Sequence, residues 1–202
     1  MFCDPYPSPC VTAYTSDIIK ALERVLALHN DAGFTTAIAS VNLSLGGGSY
    51  TSSQVCDNDN SFTKLAIDNL ASIGIATVVA SGNEGYVDAL SSPACISSAI
   101  SVGATSDSDV VADFSNSASF LDLLAPGASI YSSVPGGGFE SWPGTSMATP
   151  HVAGAWAVLK SANPGAGIDT ILDTLKKTGV SVTDSRNGLA KRTFGNPGIP
   201  SA

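Results

Sequence analysis

The chain is 202 residues long, enough for one domain or a large part of one. Apolar residues make up 44% of it and charged residues 13%, a globular composition rather than a disordered one. A net charge of −8 with no basic run argues against a nucleic-acid partner, since such binding depends on cations that neutralise phosphates.

Residues 1–15 read as a Pro- and Cys-rich loop. They have neither a basic leader nor an apolar stretch, so they do not form a signal peptide. Residues 17–31 have helical periodicity, with Ile18, Leu22, Val25, Leu26 and His29 on one face. Ser16 or Asp17 would cap this helix and Gly33 would stop it. "TAIASVNLSL" (36–45) reads as a buried strand that ends in Gly46, Gly47 and Gly48, and 49–60 as a polar loop. A second helix spans 61–74, with Phe62, Leu65, Ala66, Leu70 and Ile73 inward and Gly74 as terminator. "IATVVAS" is a short apolar strand that runs into Gly82-Asn83-Glu84-Gly85, and 99–105 is another. "LDLLAPG" and "SIYSSV" are shorter extended pieces around Pro126-Gly127, and Gly136 to Gly138 mark a loop. A helix of small residues follows from about 146 to 161. An amphipathic one covers 168–178, with Ile168, Ile171, Leu172 and Leu175 inward. The stretch after Val182 reads as a polar tail.

Apolar strands without alternation, interleaved with helices, predict an α/β doubly wound, mostly parallel sheet with helices on both faces. In such sheets sites form beyond the carboxyl ends of the strands, where the turns at 46–48 and 82–85 fall. No stretch reaches the roughly 18 apolar residues of a membrane span. The cysteines are Cys3, Cys10, Cys56 and Cys95; none is in a C-x-x-C pair or near a histidine, which argues against zinc. An even count in a Ser- and Gly-rich chain suggests disulfides and export. Cys56–Cys95 and Cys3–Cys10 are the expected pairs, although sequence does not decide pairing. Export-type cysteines without an export leader lead to the expectation that the beginning of the protein is missing.

"GTSMATPHVAG" (144–154) places Ser146 at the head of a small-residue helix. A hydroxyl there feels the positive end of the helix dipole, which favours developing negative charge. For an isolated serine the plainer reading is an N-cap. The longer pattern, however, resembles the nucleophile motif of the subtilisin-like serine proteases, the subtilases. "VNLSLGGG" (41–48) resembles the substrate-binding strand of that family and "VVASGNEG" (78–85) its oxyanion segment, in the family's order. "LLAPG" (123–127) and "DSRNG" (184–188) are similar to subtilase sequence as well, so the likeness runs from about 15 to 190.

The resemblance implies a subtilisin-like fold without its N-terminal strands. Residues 16–190 would be a partial catalytic domain and 191–202 a flexible tail. Ser146 would be the acylated nucleophile, with Asn83 and the Ser146 N–H as oxyanion donors. Ser44, Leu45 and Gly46 would pair with an extended peptide or protein substrate. Ala80, Ser81, Gly82 and Asn83 would wall the adjoining pocket with Gly46 and Gly47. The family's Asp turn and His helix motifs precede the substrate-binding strand, and neither occurs here. Asp31-Ala32-Gly33 reads as a helix end, and His29 as a packed residue on an apolar helix face. His151 lies five residues after Ser146, which on a helix turns it roughly 140° away, and in the family that histidine packs inside the helix bundle.

The expectation is therefore a serine endopeptidase part that is inactive alone, secreted in its full-length form. Its partner would be an absent N-terminal half, or a separate chain that supplies Asp and His. A non-catalytic module that binds peptides along 42–48 is the alternative. No cofactor is required for the chemistry. Carbonyls near Pro93 and Ala94, with Asp107 or Asp109, would form at most a weak calcium site.

Overall fold

A computed structural model describes residues 13–193. The Cys3–Cys10 pairing and most of the two terminal segments lie outside that range.

Five helices and ten strands follow one another along the described chain. Six strands form the main sheet: β1 (Ser40–Leu43), β3 (Ala76–Ala80), β5 (Ile100–Thr105), β6 (Leu123–Pro126), β10 (Ala190–Thr193) and β9 (Val180–Thr183), in that spatial order. The first five run parallel, and β9 is antiparallel to β10. Helices α1 (Thr15–His29) and α3 (Ser61–Ser72) cover one face. Helices α4 (Thr145–Ala162) and α5 (Ile168–Thr178) cover the other. Alternate residues of a strand therefore feed two cores. Val79 and Leu124 join Leu22, Ile67 and Leu70 on the α1/α3 side. Val78, Leu123 and Ala125 join Val152, Trp156 and Ile171 on the α4/α5 side. A strand buried on both faces has no reason to alternate polar and apolar residues, and β3 and β5 are buried at every position. Within the described residues β1 is hydrogen-bonded along one side only, to β3.

Several expected elements shift. The strand expected over 36–45 is regular only from Ser40 to Leu43. The region expected as a polar loop at 49–60 contains β2 (Gly47–Tyr50) and α2 (Ser53–Asp59). Phe62 and Leu65 are exposed, and α3 turns Thr63, Ala66, Ile67 and Leu70 inward instead, because its apolar stripe lies one position further round. His29 is exposed at the end of α1 rather than packed. Asp31 closes the turn after that helix, its carboxylate accepting the Gly33 N–H at 2.8 Å. The stretch read as tail forms the hairpin β9–β10, and β10 inserts beside β6 and runs to Thr193, past the boundary expected at 190. Its sequence, Ala-Lys-Arg-Thr, carries no apolar signal because only Thr193 is fully buried.

Two links tie the loops to this frame. The disulfide Cys56–Cys95 joins α2 to the turn after β4 (Leu90–Ser92), with both cysteines buried. The Asp184–Arg186 pair clamps the hairpin: Arg186 Nη2 donates to Asp184 Oδ2 at 2.7 Å, and its guanidinium also donates to the carbonyls of Asp113 and Ser115. Burial raises the pKa of Asp184, but the hydrogen bonds and charge of Arg186 outweigh it and hold the carboxyl below the usual carboxylate range. A depressed native pKa means stability that is fully present above the unfolded value of about 3.9 and is lost as pH falls through the native one. Asp184→Asn is expected to cost about 3 kcal/mol at neutral pH. In urea unfolding, its deficit against wild type should shrink steadily below about pH 3.9.

Candidate active site

The carboxyl ends of β1 and β3 and the first turn of α4 converge. Gly144 precedes that turn with φ +152°, a conformation that side chains rarely adopt, and its N–H donates to the Gly127 carbonyl at 2.7 Å. Gly127 is itself hemmed in, since a Cβ there would lie 2.6 Å from the Ala104 Cβ. These close approaches bring the head of α4 down onto the sheet and set Thr145 and Ser146 at the strand ends.

Thr145 is fully buried and organises the neighbourhood. Its N–H and its hydroxyl both donate to Asn83 Oδ1, at 2.8 and 3.0 Å. The hydroxyl also accepts the Gly82 N–H at 3.2 Å. Because a backbone N–H can only donate, this end of the Asn83 amide must be its oxygen. Its Nδ2, with no hydrogen bond among the described residues, lies on the side of Gly144, 3.7 Å from where a Gly144 Cβ would stand. The Ser146 N–H, in the first helical turn, has no intrahelical carbonyl to meet. Asn83 Nδ2 and the Ser146 N both lie 3.7 Å from the point a Gly144 Cβ would occupy, which puts two N–H donors near one spot at the positive end of a helix.

Ser146 is half-buried. Its hydroxyl donates to the Ser44 carbonyl at 3.2 Å, and the Ser44 hydroxyl donates to the Ser146 carbonyl at 2.7 Å. This reciprocal pair stitches the end of β1 to α4. Neither histidine ring hydrogen-bonds to Ser146 among the described residues. His29 lies at the far end of α1, and the Nδ1 of His151 meets the Met147 carbonyl at 2.8 Å. Contrary to expectation His151 is exposed; with Ser146, Met147 and Trp142 it lines an open groove of about 480 Å³. The other wall of that groove is the hairpin of β7 (Ile130–Ser133) and β8 (Phe139–Trp142).

The segments expected to bind substrate do lie together. A Cβ on Gly46 would be 3.1 Å from the Ser92 carbonyl and 3.7 Å from that of Ala80, so 44–47 borders both 80–82 and β4. Gly47 pairs with Ser92 across the β2–β4 ribbon. Leu45 packs against the α1/α3 core, so its backbone is what remains for an outside chain. Ala80 and Ser81 are buried, and the Ser81 hydroxyl donates to the Asn116 carbonyl at 3.1 Å. Sequence reading missed three members of this constellation: Thr145, β4 and Asn116. Thr145 stands inside the quoted motif, but nothing local shows that a threonine orients an amide 62 residues away.

No cluster of three or more His, Cys, Asp or Glu able to hold a metal occurs among the described residues. The Pro93 carbonyl, considered for calcium, accepts the Ile96 N–H at 3.1 Å and has a second lone pair.

The sequence profile described as the Subtilase family matches residues 12–196. The chain belongs to the subtilases. Subtilisin amylosacchariticus of Bacillus subtilis subsp. amylosacchariticus is 40% identical over 148 residues, which are 72% of this chain and 36% of that protein. Subtilisin-like protease 7 of Arthroderma benhamiae is 40% identical over 170 residues, 83% of this chain and 38% of that one. Among solved structures, a cold adapted subtilisin-like serine proteinase superposes with a TM-score of 0.75 at 30% identity, covering 91% of this chain and 62% of its own. The prenylagaramide maturation protease PagA gives 0.71 at 26% identity, covering 91% and 64%. The subtilase chain described here thus spans little more than a third of the length of these curated relatives. Its fold is the corresponding part of the subtilisin-like sheet.

Proposed function

We propose that this chain is the part of a secreted serine endopeptidase that carries the nucleophile, and that it hydrolyses peptide bonds only when the general base reaches Ser146 from sequence outside it. Ser146 attacks the scissile carbonyl of an extended peptide aligned along 44–46. A histidine supplied from elsewhere takes the hydroxyl proton and passes it to the leaving amine, and an aspartate orients that histidine. Asn83 Nδ2 and the Ser146 N–H stabilise the oxyanion of the tetrahedral intermediate. The observation that carries this reading is the orientation of Asn83: Thr145 occupies its oxygen from two directions and leaves the amide donor on the Gly144 side, where the Ser146 N–H also lies. A module that merely bound peptides would have no use for that arrangement.

Among the described residues the hydrogen bond of the Ser146 hydroxyl goes to a backbone carbonyl and not to a basic side chain. The Ser146 proton rests on the Ser44 carbonyl, which cannot abstract it. The test is labelling by a serine-reactive fluorophosphonate. The chain alone should label negligibly, and co-expression with a polypeptide bearing the subtilase Asp and His segments should bring labelling that Ser146→Ala abolishes. Equal labelling of the lone chain and the assembled pair, or labelling that survives Ser146→Ala, overturns the reading. So does an assembled pair that binds extended peptide without labelling.

A further inference from the structure

We infer that Asn116 is a positioning residue for the oxyanion donor, holding the backbone on both sides of Asn83 so that its amide faces the reacting carbonyl. This rests on the protease reading above.

Asn116 lies in the loop between β5 and β6 and is fully buried. Its side chain is used to capacity. Oδ1 accepts the N–H groups of Glu84 and Tyr86, at 3.1 and 3.0 Å. The two protons of Nδ2 are shared among three acceptors, Glu84 Oε2 at 2.7 Å, the Ser81 carbonyl at 3.1 Å and Ser91 Oγ at 3.2 Å. An amide has two acceptor lone pairs and two donor protons, and no other neutral side chain of this size could meet both sets. The backbone of Asn116 adds two more bonds to the 81–86 segment, donating to the Gly82 carbonyl at 3.0 Å and accepting from the Ser81 hydroxyl at 3.1 Å.

The residues so engaged are Ser81, Gly82, Glu84 and Tyr86, which bracket Asn83. Asn83 itself has no bond to Asn116. It sits exposed between backbone neighbours that Asn116 holds, and Thr145 grips its side-chain oxygen. Gly82 is part of the same fit: it has φ +111°, and a Cβ there would overlap Asn116 Nδ2 and Ser91 Oγ. An oxyanion donor contributes mainly because it is already in place when charge develops, so whatever holds its loop acts on the transition state rather than on substrate binding.

The test has two arms. In the chain alone, Asn116→Ser should raise amide hydrogen exchange at Glu84 and Tyr86 at least tenfold while Val78 and Val102 in the sheet stay protected. In the assembled pair, the same substitution should lower kcat about 10- to 100-fold with KM within about twofold. In an Asn83→Ala background it should change kcat less than about twofold, because its effect passes through Asn83. Unchanged exchange at the two loop amides overturns the inference, as does a kcat loss of equal size in both backgrounds. A general loosening of the fold would lower kcat in both. Should Asn116→Ser fail to fold, Asn116→Thr, closer to asparagine in volume and with a hydroxyl that can accept one of the two loop N–H groups, takes its place: exchange should then rise at one or both of Glu84 and Tyr86, and the kinetic comparisons are unchanged. If wild-type assembly does not label at Ser146, the protease reading fails, and the exchange arm alone decides whether Asn116 holds the loop.

Discussion

Asn83→Ala in the assembled protease is expected to lower kcat about 10²–10³-fold with little change in KM; the figure is what subtilisin itself loses when one oxyanion donor is removed. The donor meets an oxygen that becomes negative only in the tetrahedral intermediate, so ground-state binding is barely touched. Asn83→Asp should be at least as damaging. It keeps the oxygen that Thr145 grips but replaces the amide donor with a second acceptor, which faces the developing oxyanion. Ser146→Ala should leave only the residual rate that binding and oxyanion donors give over water. Steady-state kinetics on a peptide amide checks all three. A loss confined to KM in Asn83→Ala would remove Asn83 from its role.

The second large effect concerns stability. Trp156 is fully buried at the centre of α4, in the core with Val78, Val102, Leu123 and Ile171. Trp156→Ala should destabilise the chain by about 3–5 kcal/mol, the range for emptying a large aromatic from a close-packed core. That is a large share of the roughly 5–15 kcal/mol that a domain has in total. Trp156→Phe tests a finer point. The indole Nε1–H is buried and meets no hydrogen-bond partner among the described residues, so phenylalanine gives up no bond to them while most of the apolar contact remains. Its penalty should stay under about 1.5 kcal/mol. Urea unfolding followed by circular dichroism separates the outcomes, and a Phe variant as unstable as the Ala one would mean that indole shape, not apolar volume, governs the site.

Of the fold, the doubly covered elements were plain in advance. Strands β3 and β5 are short apolar runs between turn residues, and α5 repeats Ile168, Ile171, Leu172 and Leu175 at helical spacing, so their burial is written in their own residues. The elements that were missed carry no such pattern. Strand β8 is exposed at all four positions and exists through its ladder with β7. Strand β10 is held by parallel pairing with β6, some 70 residues away, and its lysine and arginine point elsewhere than the core. Helix α2 is short and polar, anchored by the buried Cys56 to the turn at Cys95. Phe62 and Leu65 mislead in the opposite sense: they are apolar by type, yet the face they occupy has nothing to pack against among the described residues.

For the site, the residue types Ser146, Asn83 and Gly46 and their order could be read directly from the chain, because a nucleophile at a helix head and an amide after a strand are local patterns. Which end of the Asn83 amide is its oxygen, and which backbone segments around it are held, depends on Thr145 and Asn116, residues 62 and 33 positions away from it. Hydrogen bonds of that kind have no periodicity, and a threonine or asparagine that makes them looks like any other until folding closes the distance. The exposure of His151 and the pairing of β1 on one side only among the described residues belong to the same class, since both depend on which neighbours a surface meets rather than on the residues that compose it.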